Sequence, residues 1–309
     1  MKPLLSIFLR NHRIMTPQEK KKLEHDIQTI EKIKHEMEVA SKMLIQRDLE
    51  LTRTNDELKK INEAKSNFVS MAAHQLRTPL SVIQWNVEML LSGRAGELND
   101  KQILYQKKVH RGTQILIDLV NTLLHISQLE LNTKVHNKSV FNIQGVAEEV
   151  RENYETTIQE RKQTVTVTTE PLHLFGDPSL FRILIQNLLS NALKYSYEGG
   201  TIDVTIYQNK TPEIVGGIEV KPGCIVFSVH DTGRGIPQQE QDKIFLKLFR
   251  GKTALDNSID GMGLGLYLVK LIVDSFNGRI WFESTEGVET TFYVTIPGSI
   301  ITTGIPETH

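Results

Sequence analysis

Phe68-Val69-Ser70-Met71-Ala72-Ala73-His74-Gln75-Leu76-Arg77-Thr78-Pro79-Leu80 reads as a helix with a proline inside it. Lys65, Phe68 and Ala72 recur at the three- and four-residue spacing of one helical face. An interior proline costs an ordinary helix ~3 kcal/mol, so Pro79, five residues after His74, wants a reason. A kink beside an exposed imidazole is one candidate. A lone histidine on a helix is most often structural or solvated, so its surroundings decide its role.

Upstream, no glycine interrupts residues 16 to 64, and the only proline there, Pro17, suits a first helical turn after a Thr16 cap. Leu23, Ile30, Met37, Leu44, Leu51 and Leu58 recur every seven residues. The companion positions Asp26, Ile33, Ala40, Arg47, Thr54 and Ile61 are mixed. A sustained seven-residue repeat predicts a left-handed coiled coil of two or more helices, with the polar positions fixing its register. Downstream, Ser92-Gly93-Arg94-Ala95-Gly96 makes a turn. A second arm follows with Ile103, Val109, Ile115, Leu116, Leu119, Leu123, Ile126 and Leu129. Two such arms cannot bury both stripes alone, whereas two copies form a four-helix bundle.

The chain has 309 residues, room for about two domains. Its 36 Lys plus Arg against 37 Asp plus Glu leave a formal charge of −1, which gives no support to nucleic-acid binding. A single cysteine, Cys224, excludes an internal disulfide and a multi-cysteine zinc site. The longest apolar run near the start, Leu4 to Leu9, is interrupted by Ser6 and is too short to span a bilayer. The expectation is a cytoplasmic chain without a transmembrane segment.

Beyond about Lys138 the pattern becomes mixed. A helix is predicted over about Ile143–Gln163, then a strand at Thr164–Thr168 and a helix at Asp177–Tyr195. Strands follow at Thr201–Tyr207, Cys224–Val229, Arg279–Phe282 and Thr291–Ile296, with a helix at Gly265–Phe276. This order predicts an α+β layer, with helices on one face of a mostly antiparallel sheet.

Chemistry-bearing residues cluster in this part. Asn187, Asn191 and Lys194 fall within two turns of one helix, and amide oxygens suit Mg²⁺. Asp231-Thr232-Gly233-Arg234-Gly235-Ile236-Pro237 follows a strand. Gly261-Met262-Gly263-Leu264-Gly265-Leu266 opens a helix, where backbone N–H groups favour phosphate. Each glycine cluster alone is weak, and neither is a dinucleotide fingerprint or a Walker sequence.

Taken in order, the His74–Leu80 stretch, the asparagine helix, the Asp231 turn, Ile244-Phe245…Phe249-Arg250 and the Gly261–Leu266 turn resemble the transmitter of a two-component sensor histidine kinase. The resemblance covers about residues 60–297. It implies a dimeric phosphotransfer hairpin followed by a two-layer ATP-binding domain of the Bergerat (GHKL) type. The implied division is a short segment (1–15), a signalling coil (16–64), the hairpin (65–135), the ATP-binding domain (136–298) and a tail (299–309).

The same resemblance makes His74 the phosphoacceptor and Thr78 the residue that positions water for dephosphorylating a partner. Asn191 and Asn187 would contact Mg²⁺ and ATP, Lys194 the phosphates and Tyr195 the nucleoside. Asp231 would accept from the adenine amino group, in a pocket shaped by Gly233, Gly235 and Ile236. Gly261, Gly263 and Gly265, with Leu264 and Leu266, would hinge an ATP lid between about Gln238 and Met262, and Thr290 and Thr291 match the final strand. The implied partners are a second copy of the chain and a response-regulator receiver domain in a separate chain; an upstream sensor is left open.

Two departures from the pattern stand out. Gln75 replaces the carboxylate usual after the phosphoacceptor, and it can accept a hydrogen bond but cannot take a proton. Glu289 replaces a glycine near the last strand. Gln75 beside a retained Thr78 keeps a second reading open, a degenerate transmitter acting as a response-regulator phosphatase or dimeric scaffold. A third is another GHKL ATPase, against which the His74–Pro79 stretch stands.

Overall fold

The computed structural model describes residues 16–131, 137–251 and 261–298. Two compact units divide the chain, residues 1–64 and 65–309. Among the described residues the first contains a single helical stretch, the beginning of α1 (Pro17–Leu91). Its seven-residue stripe is bare in the single chain: Ile30, Met37, Leu44, Leu51 and Leu58 all stay at least 60% exposed. Burying such a stripe needs another helix.

In the second unit α1 continues through Pro79 to Leu91 and is followed by α2 (Asp100–Glu130). A capping box starts α2: the Asn99 side chain accepts from the Gln102 backbone N–H, and the Gln102 side chain accepts from that of Asn99. The buried residues of α1 are Ser66, Ala73, Leu80 and Val87, one heptad stripe. Ala73 and Leu80 pack on Val120 and Leu124. At the base of the hairpin Ser66 and Ser127 bond reciprocally, Oγ to Oγ at 2.7 Å, so neither buried hydroxyl lacks a partner.

The remainder is β1 (Ser139–Asn142), α3 (Ile143–Asn153), α4 (Glu155–Glu160), β2 (Thr164–Thr169), β3 (His173–Gly176), α5 (Pro178–Tyr195) and β4 (Thr201–Gln208). Then come β5 (Glu213–Val215), β6 (Ile218–Val220), β7 (Cys224–Asp231), α6 (Gly265–Ser275), β8 (Arg279–Thr285) and β9 (Glu289–Pro297). Five strands form one sheet in the order β2-β4-β7-β9-β8, antiparallel except for β2-β4. Alternation along β4, β7 and β9 turns Ile202, Val204, Phe227, Val229, Phe292 and Val294 toward α5 and α6 in one buried core. Phe181, Leu184 and Leu188 of α5 fill its centre. An Asp177 N-cap and Pro178 start α5, as their residue types favour.

Three features depart from the sequence reading. The helix expected over Ile143–Gln163 is two helices that break at Tyr154 and end at Glu160. Lys162 then adopts a left-handed backbone (φ 53°). Beside it, the Gln163 side chain donates to the Leu193 and Tyr197 carbonyls. A small sheet of β1 and β3 and a hairpin of β5 and β6 were also unforeseen. The hairpin covers the second face of the main sheet, where Trp281 Nε1 donates to the Gly216 carbonyl at 3.1 Å. Among the described residues no helix is long and apolar enough to cross a membrane.

Candidate nucleotide site

A cavity of about 890 Å³ opens between α5, the end of β7, the start of α6 and one face of α2. Asp231 closes β7 on the helix-facing side of the sheet and is 4% exposed. Among the described residues its Oδ1 has no hydrogen-bond partner. Burial pushes this carboxyl from 3.8 up to about 7. An unpaired buried acceptor in a cavity suits a ligand that brings a hydrogen-bond donor. Gly233 makes room for this carboxylate, since a Cβ there would lie 2.5 Å from Asp231 Oδ1 and 2.6 Å from the Tyr195 carbonyl.

On α5, Asn187 and Asn191 both line the cavity. The Asn187 amide nitrogen donates back to the Ile183 carbonyl at 2.8 Å, which leaves its oxygen directed at Gly265. A Cβ on Gly265 would lie 2.7 Å from that oxygen, so the glycine is what lets α6 start there. The Asn191 side chain, half-buried, makes no hydrogen bond among the described residues. Among the described residues no side chain caps α6, whose N-cap position is Leu264. Its first backbone N–H groups therefore lie open at the cavity wall, with the positive end of the helix dipole behind them. The donor set suits an anion at α6 and a hard cation at the α5 amides.

Of the residues singled out from the sequence, Asn187, Asn191, Lys194, Tyr195, Asp231, Gly235, Ile236, Gly261, Gly263, Leu264, Gly265 and Leu266 line this one cavity. Gly233 lies behind Asp231 rather than in the wall. Thr291 does not line the cavity, whereas Thr290 does. Successive strand residues face opposite ways, and Thr291 instead meets His230 Nδ1 at 2.9 Å on the other face. The middle of the expected lid, 252–260, lies outside the described residues, as do 1–15, 132–136 and 299–309.

His74, Gln75 and Thr78 are exposed on α1 and none of them lines the cavity. Arg77, one turn on from His74, donates to Asn121 Oδ1 of α2 at 2.7 Å, and Asn121 does line it. Sequence reasoning missed Tyr154, Ile183, Gln186 and the α2 contribution. Ile183 could have been found by extending the Asn187 face back one turn, whereas Gln186 lies off that face. The α2 residues carry no local signal, because only the packing of α2 on α6 brings them there.

The sequence matches two families in tandem: residues 64–132 the His Kinase A (phospho-acceptor) domain, and residues 176–300 the histidine kinase-, DNA gyrase B-, and HSP90-like ATPase. It is 31% identical over 244 residues to the circadian input-output histidine kinase CikA of Synechococcus elongatus, covering 76% of this chain and 30% of that one. It is 30% identical over 242 residues to the sensor histidine kinase WalK of Bacillus subtilis, covering 78% of this chain and 38% of that one. The chain thus spans about a third of the length of these relatives. Full-length ShkA, solved in complex with AMPPNP, superimposes with a TM-score of 0.60 at 23% identity, covering 78% of this chain and 47% of that chain. The Acinetobacter baumannii histidine kinase AdeS gives 0.51 at 20% identity, covering 73% of this chain and 98% of that one. With a phosphoacceptor domain ahead of an ATPase domain of this type, the chain belongs to the two-component sensor histidine kinase transmitters.

Proposed function

We propose that the chain is an ATP-dependent protein-histidine kinase that phosphorylates His74 and passes the phosphoryl group to an aspartate of a response regulator in a separate chain. The observation that carries this reading is the unpaired Asp231 Oδ1 in a cavity that the uncapped start of α6 also lines. The two recognise opposite ends of one molecule, an amino-bearing base and a phosphate chain. Asp231 would accept from the adenine amino group, Tyr195 would flank the nucleoside, and Lys194 and the α6 N–H groups would hold the phosphates.

Asn191 and Asn187 would hold Mg²⁺, which neutralises charge on the transferring phosphates. Among the described residues no three His, Cys, Asp or Glu side chains group together, so most other ligands would be phosphate oxygens and water. A neutral ring nitrogen of His74 attacks the γ-phosphorus in line as the bond to the ADP oxygen breaks. The displaced ring proton goes to solvent, because Gln75 can orient the imidazole but cannot take a proton. Loss of a general base costs ~10²–10⁴ in rate. Phosphoryl transfer rests mainly on positioning and electrostatics, so this is a slow kinase rather than a dead one.

A homodimer completes the structure. The bare stripe from Leu23 to Leu58 would form a parallel coil, and Leu76 and Ile83, both exposed in the single chain, would enter a four-helix bundle. Residues 65–135 then act as the phosphotransfer hairpin and 136–298 as the ATP-binding domain. Need for ATP places the activity in the cytoplasm. Incubation with γ-labelled ATP and Mg²⁺, followed by a chase with purified receiver domains, tests the reading. Label should enter the chain and move to a receiver; ATP binding without label would point to a phosphatase or scaffold.

A further inference from the structure

At the far end of the hairpin from the turn, one carboxylate collects two contacts. Glu130, the last residue of α2, accepts from Lys247 Nζ at 3.0 Å and from the Tyr267 hydroxyl at 2.9 Å, both on Oε1. Lys247 also stands over the Tyr267 ring, 5.5 Å from its centroid. Burial alone would raise the Glu130 carboxyl. The hydrogen bonds from Lys247 and Tyr267, with the charges of Lys247 and Lys65, outweigh burial and hold it below its ordinary range. Burial and the same carboxylate push Tyr267 up to about 12.

The two donors flank the Gly261–Gly265 turn in sequence and meet at one carboxylate oxygen. Lys247 lies on the chain leading to the Gly261–Gly265 turn, and Tyr267 is in the first turn of α6 just after it. Leu248, next to Lys247, has a left-handed backbone (φ 64°) that a leucine seldom adopts, so neighbouring contacts hold this segment in place. While the clamp is made, the hairpin wall of the nucleotide cavity is built by Ile115, Asp118, Asn121, Thr122 and His125 of α2. Among the described residues none of α1 takes part, so the chain's own His74 is not presented. In-line transfer needs reacting atoms ~3–3.5 Å apart.

We infer that Glu130 is a latch: by gripping Lys247 and Tyr267 it holds the ATPase domain docked on its own hairpin in a resting pose, and its release lets the domain reach a histidine. This rests on the kinase reading above for its consequence, though not for the docking itself. Neither Lys247 nor Tyr267 lines the cavity, so loosening the latch leaves the nucleotide contacts intact.

The test compares the full chain with Glu130→Gln, Tyr267→Phe and the double variant, by small-angle X-ray scattering and by the initial rate of labelling from γ-labelled ATP. A partly exposed ion pair and one hydrogen bond shift a docked-to-released ratio by roughly three- to tenfold. Glu130→Gln should therefore raise the initial rate by that factor and increase the radius of gyration. The double variant should add little to either single, since both cut the same contact. An unchanged radius overturns the latch, and so does unchanged or slower labelling in a chain that takes label. A radius that rises in a chain that takes no label in any variant rejects the kinase reading and leaves the latch standing.

Discussion

Asp231→Asn separates the stability of the nucleotide-free fold from its ability to bind ATP. In the folded chain the Asp231 carboxyl is held at about 7 against an ordinary 3.8, because it is buried with one oxygen unpaired. A raised carboxyl binds its proton more tightly in the folded than in the unfolded state. The fold therefore keeps its full stability below about pH 4, loses some as pH rises toward 7, and is flat above that. At 1.36 kcal/mol per pKa unit the loss is on the order of 4 kcal/mol at full strength. Water entering the open cavity reduces it. An asparagine stays neutral and escapes the loss. Thermal unfolding of the nucleotide-free chain, followed by circular dichroism at pH 5 and pH 8, reads the difference. The variant should be more stable than the parent at pH 8 by at least about 1 kcal/mol, some 2–4 °C in Tm, and the gap should shrink at pH 5. ATP affinity should fall roughly tenfold or more with loss of the charged acceptor. A stability gap independent of pH, or a variant less stable at pH 8, would refute the reasoning.

Gln75→Glu should speed autophosphorylation by about tenfold or more, up to the ~10²–10⁴ a general base supplies; an unchanged or lower rate in a labelling assay counts against the role given to this position. Gly265→Ala puts a methyl group against the Asn187 oxygen and should raise KM for ATP several-fold while Tm barely moves, as a steady-state ATP titration would show. Ser66→Ala and Ser127→Ala each remove the Oγ–Oγ bond but leave the remaining hydroxyl its bond to the other residue's carbonyl, at roughly 0.5–1.5 kcal/mol. The double variant should cost less than the two singles together in urea unfolding, and simple additivity would mean the pair is not a unit.

How far the sequence reached follows from how local each signal is. The helices and central strands follow from periodicity, and the ends of α5 from Asp177, Pro178 and the change to strand pattern after Tyr195. The cavity residues foreseen from the sequence share helix α5 or sit at glycine turns, so spacing alone groups Asn187 with Asn191 and Gly263 with Gly265. Thr291 shows the limit: a strand motif does not say which of two adjacent threonines faces inward, and the register of β9 against β7 decides for Thr290. The β5–β6 hairpin is invisible because strands of three residues carry too little pattern. The Glu130 contacts are equally silent in sequence, since 117 and 137 residues separate the carboxylate from its two donors.

The central claim is that γ-phosphate from ATP comes to rest on His74. Purified chain incubated with γ-labelled ATP and Mg²⁺, beside His74→Ala and Asn191→Ala, tests it most directly when the label's acid and base stability is recorded. The account predicts an acid-labile, base-stable label that both substitutions abolish while the chain stays folded. Label that survives in His74→Ala, or that resists acid, would contradict it.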